Sequence, residues 1–573
     1  MRSSTVISGL AGRVKESPDA TALTFLDDGE TPGQIMTWQH LDQDAGRFAA
    51  GLLSRGLSGA RVVISLPSGT DFLSVLLGCF YAGAVAVPAP PLRLRAAYDL
   101  ERLEGIVEDC TAALLVVPAG QMAGQQERSP ESPLRRVQWV SPADLRETVG
   151  LSLRLPSPSE IAFLQYTSGS TTRPRGVAVR HRNLTANFDA VSGIVDFSRP
   201  MTFVSWLPLH HDMGLIGAAL RAINYGFPLV LMSPAHFLQN PLRWLRAISR
   251  YEGSFSGAPD FAYRICAERV MREPELQLDL RSWIVAFNAA EPIRRETISA
   301  FNVALAPYGF RPKAMRPVYG LAEATLVVTG STRSGPVQTT VDRSKLEVGR
   351  LEPADVSNGV QIVSSGRPAA DNMVLIVDPD NLQERSDGEV GEILVAGSSV
   401  CDGYWSSRSG DVEPFTIELP FCEGKWLRTG DLGSLVDGEL YVTGRLKDLI
   451  IVRGRNLYPQ DLERSAELAC SDWQCGAAAA LQDHETGDIV IIQELRRPWS
   501  EDLPKISNRI VAAVVQDHEI RPQRIVIVQS GTLLKTTSGK LRRAANLEAL
   551  RNLAFKTYAD SASPPLNPPV NYV

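Results

Sequence analysis

Hydrophobic and polar positions alternate between two periods along the first 150 residues. Apolar side chains recur at helical spacing at Leu41, Ala45, Phe48, Ala49, Leu52 and Leu53. The apolar run 61–65 has the length of a buried strand, and the long apolar stretch after it divides into a helix over 72–81 and a strand over 84–87. Helices that alternate with buried strands are typical of α/β layers around a partly parallel sheet.

The same alternation continues beyond residue 150 and then changes character. Further buried strands are predicted at 161–164, 228–232, 282–287, 489–492 and 524–528. Between 369 and 444, short apolar runs separated by Gly and Asp turns predict a smaller β-rich subdomain. The Pro-, Ser- and Asn-rich tail 561–573 is expected to be disordered.

Composition narrows the class of protein. The 573 residues exceed what one hydrophobic core supports, so we expect two or three domains. A net charge of -6 without a basic block argues against a nucleic-acid partner. The longest apolar stretch, 72–92, is interrupted by glycines and prolines, and no membrane span is expected. Seven scattered cysteines without zinc-ligand spacing are typical of reduced thiols in a cytoplasmic protein.

The first motif with chemical content is a loop that directly follows the strand predicted at 161–164. It reads Tyr166-Thr-Ser-Gly-Ser-Thr-Thr-Arg-Pro-Arg-Gly176. Backbone N–H groups and hydroxyls in such a loop can surround phosphate oxygens, and Arg173 and Arg175 would add positive charge. The loop lacks the Walker A spacing, and a polar turn is the alternative interpretation.

Histidines and carboxylates follow three later apolar runs. His210 and His211 precede Asp212 after a Pro-containing segment, and metal binding together with His236 stays open although no ligand spacing supports it. Glu291, in Asn288-Ala-Ala-Glu-Pro292, and Glu323, in Tyr319-Gly-Leu-Ala-Glu-Ala-Thr325, stand at Gly/Ala-rich turns. A carboxylate at such a turn can hold Mg²⁺ or bind a ribose or a base edge.

The C-terminal part adds two charged motifs and a loop with a lysine, and it contains the lysines that are candidates for a functional site. Asp431 lies in Trp426-Leu-Arg-Thr-Gly-Asp-Leu-Gly433, and Lys447 in Gly444-Arg-Leu-Lys-Asp-Leu-Ile450. A Ser/Thr/Gly loop, Leu533-Leu-Lys-Thr-Thr-Ser-Gly-Lys-Leu-Arg-Arg543, presents Lys540. Only nine of the 58 Lys and Arg residues are lysine. A compact ammonium on a flexible stem suits a developing phosphate charge, whereas solvated surface lysines are the alternative.

In this order, the five motifs resemble those of the adenylate-forming superfamily of acyl-CoA synthetases, nonribosomal adenylation domains and luciferases. The resemblance extends over about residues 20–550. It implies an α/β fold, with two α/β subdomains and a β-rich subdomain in a large N-terminal domain, 1–445. A small mobile α+β domain, 446–560, would rotate about a hinge at Lys447. It also implies that a carboxylate attacks the α-phosphate of ATP, so that an acyl-adenylate forms and pyrophosphate leaves.

The resemblance assigns roles to individual residues. The phosphates would be cradled by Thr167, Ser168, Gly169, Ser170, Thr171 and Thr172. The rest of the ATP/AMP-binding set would be Ala290, Glu291, Tyr319, Gly320, Asp431 and Arg445. Tyr319 would stack on the adenine, and Asp431 would accept hydrogen bonds from the ribose hydroxyls. Glu323 would hold Mg²⁺, and His211 would lie beside the acyl carboxylate. Lys540 would bridge that carboxylate and the α-phosphate.

Three departures from the commoner acyl-CoA synthetase pattern indicate one branch of the superfamily. Thr172 and Arg175 stand where that pattern has Gly and Lys, and Ala322 stands where it has Thr. The chain between Tyr319 and the turn Gly366-Arg-Pro368 is also longer than usual, with a surplus at about 337–363. The apolar residues of this insertion are Val341, Leu346, Val348, Leu351, Val356, Val360 and Ile362. All three features resemble the fatty acyl-AMP ligases.

Membership of that branch implies a specific reaction and partner. ATP and Mg²⁺ would activate a fatty acid, and the acyl group would pass to the phosphopantetheine thiol of an acyl carrier protein or of a carrier domain of a polyketide or nonribosomal peptide synthase. The insertion would pack against the large domain and restrain the C-terminal domain; a plain surface hairpin is the alternative. The alternative functions are a fatty acyl-CoA synthetase and a non-catalytic acyl-adenylate-binding protein.

Overall fold

Two large mixed sheets form the framework of the chain up to residue 414. The computed structural model describes residues 4–92, 97–125, 127–147, 153–166, 174–332, 334–355, 359–406, 409–470, 475–483, 485–496, 502–536 and 539–561. Within these ranges one sheet has eight strands, in spatial order Asp411–Pro414, Gly403–Ser406, Gly176–Arg180, Ile161–Tyr166, Val85–Pro88, Arg61–Ile64, Leu114–Val116 and Gln138–Val140. The last five run parallel, as expected of strands joined by helices.

The second large sheet carries most of the residues that later form the site. Its nine strands in the described ranges are, in spatial order, Arg367–Pro368, Val327–Gly330, Met315–Gly320, Val285–Asn288, Phe255–Ala258, Phe203–Ser205, Leu229–Met232, Thr21–Leu26 and Pro32–Thr37. The six strands from Met315–Gly320 to Thr21–Leu26 are parallel. Ligands of such sheets bind outside the carboxyl ends of the strands.

A smaller antiparallel sheet and the insertion follow. The sheet consists, in the described part, of Met373–Val377, Gly391–Ala396, Cys422–Val436, Thr416–Leu419 and Glu439–Arg445. The insertion forms a hairpin of its own, in which Gln338–Asp342 pairs with Gly359–Val363 and the short helix Arg343–Glu347 lies between them.

The C-terminal segment has its own hydrophobic core. Its strands are Ile450–Val452, Arg455–Leu457, Cys475–Gln482, Ile489–Leu495, Arg524–Gln529 and Thr557–Asp560. Helices Pro459–Ala469 and Leu503–His518 cover one face of its sheet, and their buried residues Leu462, Ile506 and Ile510 belong to one cluster with Ile491 and Ile527. The predicted tail lies, from residue 562 onward, outside the described residues.

Helices pack on the faces of the two large sheets. The α-helices of the large part are Val6–Glu16, Trp38–Ser54, Thr70–Ala82, Ala97–Asp109, Pro133–Arg136, Pro142–Leu145, His181–Ser192, Arg221–Tyr225, Pro234–Gln239, Leu242–Arg250, Asp260–Val270 and Arg295–Leu305. The segment Met213–Leu220 is a π-helix, and Arg543–Arg551 is the last α-helix. None of the helices in the described ranges has the length and apolarity that a membrane span requires.

The hydrophobic pattern predicts most of these elements, with one error. The predicted helix 72–81 lies within Thr70–Ala82, and the strands predicted at 161–164 and 489–492 lie within longer ones. The strand predicted at 282–287 instead begins at Val285. Trp283 contributes to the apolar pattern because it fills the core, although it does not belong to the strand. Its indole N–H donates to the Val285 carbonyl at 2.9 Å.

We expect Trp244→Ala to lower the free energy of unfolding of the large domain by about 3–5 kcal/mol, because it leaves a cavity in a fully buried aromatic cluster. Trp244 is 0% exposed and packs edge-on against Trp206 and Trp283. Its indole N–H also donates to Ser256 Oγ at 2.8 Å. Denaturant unfolding monitored by circular dichroism would measure the loss. The matched control is Met271→Ala at an exposed site, and equal midpoints for the two variants would contradict this packing.

Candidate active site

One cleft gathers nearly all the residues that the motifs single out. It has a volume of about 2380 Å³ and is lined by the large domain, the insertion and the C-terminal segment. The predicted site residues that line it are His211, Ala290, Glu291, Tyr319, Gly320, Glu323, Asp431, Arg445, Lys447 and Lys540. The predicted phosphate loop, Thr167–Thr172, lies outside the described residues, so its role stays a prediction.

Strand register places Asp431 between a cation and a phenol. The strand Cys422–Val436 pairs with Glu439–Arg445 so that Asp431 stands opposite Arg445. Arg445 Nε donates to Asp431 Oδ1 at 3.0 Å, and the Tyr319 hydroxyl donates to Asp431 Oδ2 at 2.8 Å. Burial, followed by the charge of Asp431, raises the pKa of Tyr319 well above its usual value, so the phenol stays a donor. Two separate sheets are joined at this carboxylate.

Glu323 lies in a short 3₁₀ turn, Ala322–Ala324, directly after the strand that carries Tyr319. The hydroxyl of Tyr404 donates to its Oε1 at 2.8 Å. The guanidinium carbon of Arg175 lies 3.8 Å from the centre of the Tyr404 ring, a cation–π contact. The turn ends at Thr325, whose φ of 67° is strained for a β-branched residue, as is common at functional sites. The described residues contain no group of three His, Cys, Asp or Glu side chains that could hold a metal by itself.

Glu291 and Ala290 form the turn after the strand Val285–Asn288. Ala290 adopts a left-handed conformation with φ 74°, which bends the chain so that Glu291 faces the cleft. Glu291 Oε1 accepts a hydrogen bond from the Phe261 backbone N–H at 2.6 Å. Burial raises the pKa of the Glu291 carboxyl to about 7. The carboxyl therefore changes its protonation state near neutral pH.

His211 and Asp212 stand at the entrance to the π-helix Met213–Leu220. Burial, and then the positive charges of Arg102 and Lys540, lower the pKa of His211 to about 3, so its imidazole is neutral at pH 7. Burial raises the pKa of Asp212, while Lys540 opposes that shift. Two residues after Asp212 the chain has Gly214, where a Cβ would come within 2.3 Å of the Pro208 carbonyl oxygen.

Lys540 enters the cleft from the C-terminal segment. A tight turn shapes its loop: the Thr536 N–H donates to the Lys540 carbonyl at 2.7 Å, and the Lys540 N–H donates to Thr536 Oγ1 at 3.1 Å. Burial and the charge of Arg445 lower the pKa of Lys540, and the charges of Asp212, Asp431 and Glu291 oppose this. One ammonium is therefore surrounded by carboxylates from three different elements of the large domain.

A half-buried arginine, Arg543, holds the chain that follows the Lys540 loop. Arg543 forms ion pairs with Asp448 at 3.0 Å and with Glu463 at 2.9 Å. Glu463 is 4% exposed, so removal of the arginine would leave an uncompensated charge in the C-terminal core. The same arginine thus ties the lysine loop both to the helix Pro459–Ala469 and to the turn that contains Lys447.

Ion pairs join the two parts of the chain across the cleft. Arg294 contacts Glu467 at 3.2 Å, and Arg464 contacts Glu296 at 2.8 Å. The strand that ends at Arg445 and the hairpin that begins at Ile450 flank Lys447, which is exposed in a 3₁₀ turn. Lys447 thus lies between the two cores, and its role as a hinge stays a prediction.

The insertion contacts both the large domain and the C-terminal segment. Its buried residues Val341, Leu346 and Leu351 pack with Tyr441 and Tyr458. Beside this cluster Arg455 contacts Glu347 at 2.7 Å, and Arg343 Nη1 lies 3.3 Å from His518 Nδ1. Val348 is 60% exposed and takes no part in the packing, and Val356 lies outside the described residues.

Sequence reasoning missed several residues of the site. Tyr404, which orients Glu323, belongs to a strand of the first sheet 81 positions away in the sequence, and no local motif marks it. The sequence assigns no role to Arg543, which is part of a basic motif, or to Arg294, which follows shortly after Pro292. Of the histidines considered for a metal site, only His211 lines the cleft, whereas His210 and His236 do not.

Comparison with known proteins agrees with this geometry. The family model of AMP-binding enzymes matches residues 10–405, and that of the AMP domain of Disco-interacting protein 2-like proteins matches residues 447–559. The chain is 35% identical to the medium-chain-fatty-acid–[acyl-carrier-protein] ligase JamA of Moorena producens, over 95% of this chain and 94% of JamA. It is also 35% identical to the long-chain-fatty-acid–AMP ligase FadD26 of Mycobacterium marinum, over 96% and 98% of the two chains.

Solved structures give the same result. A fatty acyl-adenylate ligase from Legionella pneumophila, in complex with acyl adenylate and pyrophosphate, is 35% identical with a TM-score of 0.74 and coverage of 97% of both chains. A structure from work on the fatty acyl-adenylate ligases of E. coli and L. pneumophila is 31% identical with a TM-score of 0.86, over 96% of this chain and 98% of that one. The chain therefore belongs to the family of AMP-binding enzymes and, within it, to the fatty acyl-AMP ligases.

Proposed function

We propose that this protein uses ATP to convert a fatty acid into an acyl-adenylate and then passes the acyl group to the phosphopantetheine thiol of an acyl carrier protein. The observation that carries the proposal is the position of Lys540, whose ammonium reaches a cleft lined by Asp212, Glu291 and Asp431. The names of the two relatives, an acyl-carrier-protein ligase and a fatty-acid–AMP ligase, support the choice of substrate and acceptor.

In the first half-reaction, an oxygen of the fatty acid carboxylate forms a bond to the α-phosphorus of ATP, and the bond to pyrophosphate breaks. Such transfers depend on positioning and charge neutralisation rather than on covalent help from the protein. Lys540 would stabilise the negative charge shared by the carboxylate and the α-phosphate. The neutral His211 imidazole would lie beside the carboxylate without adding charge.

The nucleotide would occupy the side of the cleft that contains Asp431. A carboxylate already oriented by Tyr319 and Arg445 is suited to accept hydrogen bonds from the two ribose hydroxyls. Ala290, Glu291 and Gly320 would line the adenine pocket, and Thr167–Thr172 would surround the phosphates. The motifs and the shared cleft support the roles of Ala290, Glu291 and Gly320, and the motif alone supports that of Thr167–Thr172.

Glu323 fits a magnesium site of the kind that ATP brings with it. Mg²⁺ is usually held by one or two carboxylates together with substrate phosphates and water, so a lone carboxylate is a sufficient protein contribution. One oxygen of Glu323 accepts the Tyr404 hydroxyl, which fixes the orientation of the other. When bound, Mg²⁺ would neutralise phosphate charge as pyrophosphate leaves.

The second half-reaction transfers the acyl group to a thiol, which loses its proton as AMP departs. We propose that the acceptor is a carrier domain of a polyketide or nonribosomal peptide synthase. The insertion supports a restrained C-terminal domain through the Arg455–Glu347 pair and the cluster around Tyr458. The seven scattered cysteines, which lack zinc-ligand spacing, support a cytoplasmic site of action.

Pyrophosphate release, measured with a panel of fatty acids, tests the proposal. Coenzyme A and a phosphopantetheinylated carrier protein are supplied in separate reactions, and the acylated product is identified by mass spectrometry. We expect acyl-AMP in both reactions and an acyl thioester only with the carrier protein. Rapid acyl-CoA formation would identify a fatty acyl-CoA synthetase, and binding of acyl-AMP without pyrophosphate release would identify a non-catalytic binding protein.

We expect Lys540→Ala to lower the rate of adenylation about a hundred- to a thousandfold, as does the loss of one transition-state donor elsewhere. ATP–pyrophosphate exchange measures this step directly. Lys556→Ala is the matched control, because Lys556 is an exposed lysine of the same segment that does not line the cleft. Exchange by the Lys540 variant at the rate of the control would refute the assignment.

We expect Glu323→Gln to raise the Mg²⁺ concentration for half-maximal adenylation at least about tenfold, the equivalent of about 1.4 kcal/mol of lost binding. The amide keeps an oxygen for the Tyr404 hydroxyl and removes only the negative charge. Tyr404→Phe removes the hydrogen bond and keeps the charge, so its Mg²⁺ requirement should rise less. Identical Mg²⁺ titrations for wild type and Glu323→Gln would argue against a metal-binding role.

A further inference from the structure

The cleft continues past His211 into an apolar channel. Its walls there are formed by the end of the helix His181–Ser192, by one face of the π-helix Met213–Leu220, and by three strands of the second large sheet. The apolar side chains that line it are Val191, Ile194, Val195, Phe255, Val318, Leu326 and Val327. On the proposed function, this is the part of the cleft that would receive the acyl chain.

Two buried cations, Arg221 and Arg316, stand in this lining, and Arg316 donates from Nη1 to the Thr332 carbonyl. Arg221 follows the π-helix directly, begins the helix Arg221–Tyr225 and lines the cleft, although it is only 2% exposed. Its guanidinium lies 5.5 Å from the centre of the Phe188 ring and 6.0 Å from that of Phe255. Its one hydrogen bond in the described part of the chain goes from Nη2 to Asn187 Oδ1 and is long, at 3.5 Å.

The surroundings of Arg221 leave its charge uncompensated. Its Nε has no hydrogen-bond partner among the described residues, and none of their carboxylates forms an ion pair with it. Asn187 is also engaged elsewhere, since its Nδ2 donates to the Val327 carbonyl at 2.9 Å. A buried arginine is normally paired, because an isolated charge in the protein interior is costly. Burial lowers the pKa of Arg221 to about 10, so it is still a cation at neutral pH.

A plain alkyl chain in the channel would leave the Arg221 guanidinium with even fewer hydrogen-bond partners. It would displace water from the channel and offer the guanidinium no acceptor, so the donors would lose their hydrogen bonds without replacement. An oxygen on the chain would satisfy them, and a carboxylate could accept two N–H bonds at once. The same arrangement that disfavours an unsubstituted chain therefore favours an oxygenated one.

We propose that the preferred substrate is a fatty acid with a second oxygen acceptor on its chain, a hydroxyl, keto or carboxylate group that binds Arg221. The inference deepens the proposed function and rests on it. From Met213, two residues after His211, to Arg221 the helix advances roughly 10–12 Å. The oxygen therefore belongs well along the chain and not next to the activated carboxylate.

A purely structural role for Arg221 makes a different prediction. The arginine could serve only to connect the two helices through Asn187 and to pack on the two phenylalanine rings. In that case its substitution would weaken activity toward all acids to the same degree. The ratio of activities toward matched acids thus separates recognition from packing.

The test compares pairs of acids of equal length, without and with a hydroxyl, keto or carboxylate group at successive positions. For each pair, pyrophosphate release gives kcat/KM with wild type, Arg221→Met and Arg221→Lys. We expect wild type to favour one oxygenated position by about ten- to a hundredfold, as for hydrogen bonds to a charged group. Arg221→Met should abolish that preference, and Arg221→Lys should keep part of it. The arms with neutral and anionic oxygens identify the acceptor.

Arg61→Met is the matched control, because Arg61 also faces an aromatic ring, Trp405 at 5.2 Å, but does not line the cleft. The Arg61→Met variant should prefer oxygenated acids to the same degree as wild type. Wild type that favours plain acids at every position would overturn the inference, even if the methionine variant fails to fold. An equal preference in wild type and Arg221→Met would overturn it as well. Failure of every acid to release pyrophosphate would instead contradict the proposed function.

Discussion

The candidate active site depends on one ammonium that lies among three carboxylates. Asp212, Glu291 and Asp431 belong to three separate elements of the large domain, and only the C-terminal segment brings a lysine among them. Like charges gathered in a half-buried cleft repel each other, so the approach of Lys540 lowers the electrostatic cost of holding them together. Assembly of the site and docking of the C-terminal segment are therefore one event.

Contacts outside the cleft hold the Lys540 loop and the C-terminal segment in this position. Arg543 ties the lysine loop to the C-terminal core, and the Arg294–Glu467 pair connects that core to the rim of the cleft. The insertion adds a second attachment on the opposite side, where Tyr458 lies among its apolar residues. The Arg294–Glu467 pair is partly exposed, and such pairs contribute little stability each, whereas the Arg543–Glu463 pair has a buried carboxylate.

Sequence reasoning located the cleft well and its interior poorly. Asp431, Arg445 and Lys540 stand in dense local motifs, so their types and spacing were sufficient to single them out. Tyr404 contacts Glu323 only because a strand from another sheet lies beside it, and such register depends on the whole fold. Arg221 belongs to no motif, since it is one of many arginines in the chain and lies in an otherwise apolar segment. Only its burial and its unpaired Nε in the structure reveal it.

The π-helix Met213–Leu220 has a consequence for how this cleft could change. Each turn of a π-helix contains about one more residue than an α-turn, and one residue corresponds to roughly 100° of rotation. Over its length the π-winding thus rotates Arg221 by more than a quarter turn relative to an α-helix of the same sequence. What the channel presents to a substrate is set by helix winding as well as by residue identity. A change to α-helical winding at constant length would turn the arginine away from the channel while every lining residue kept its identity.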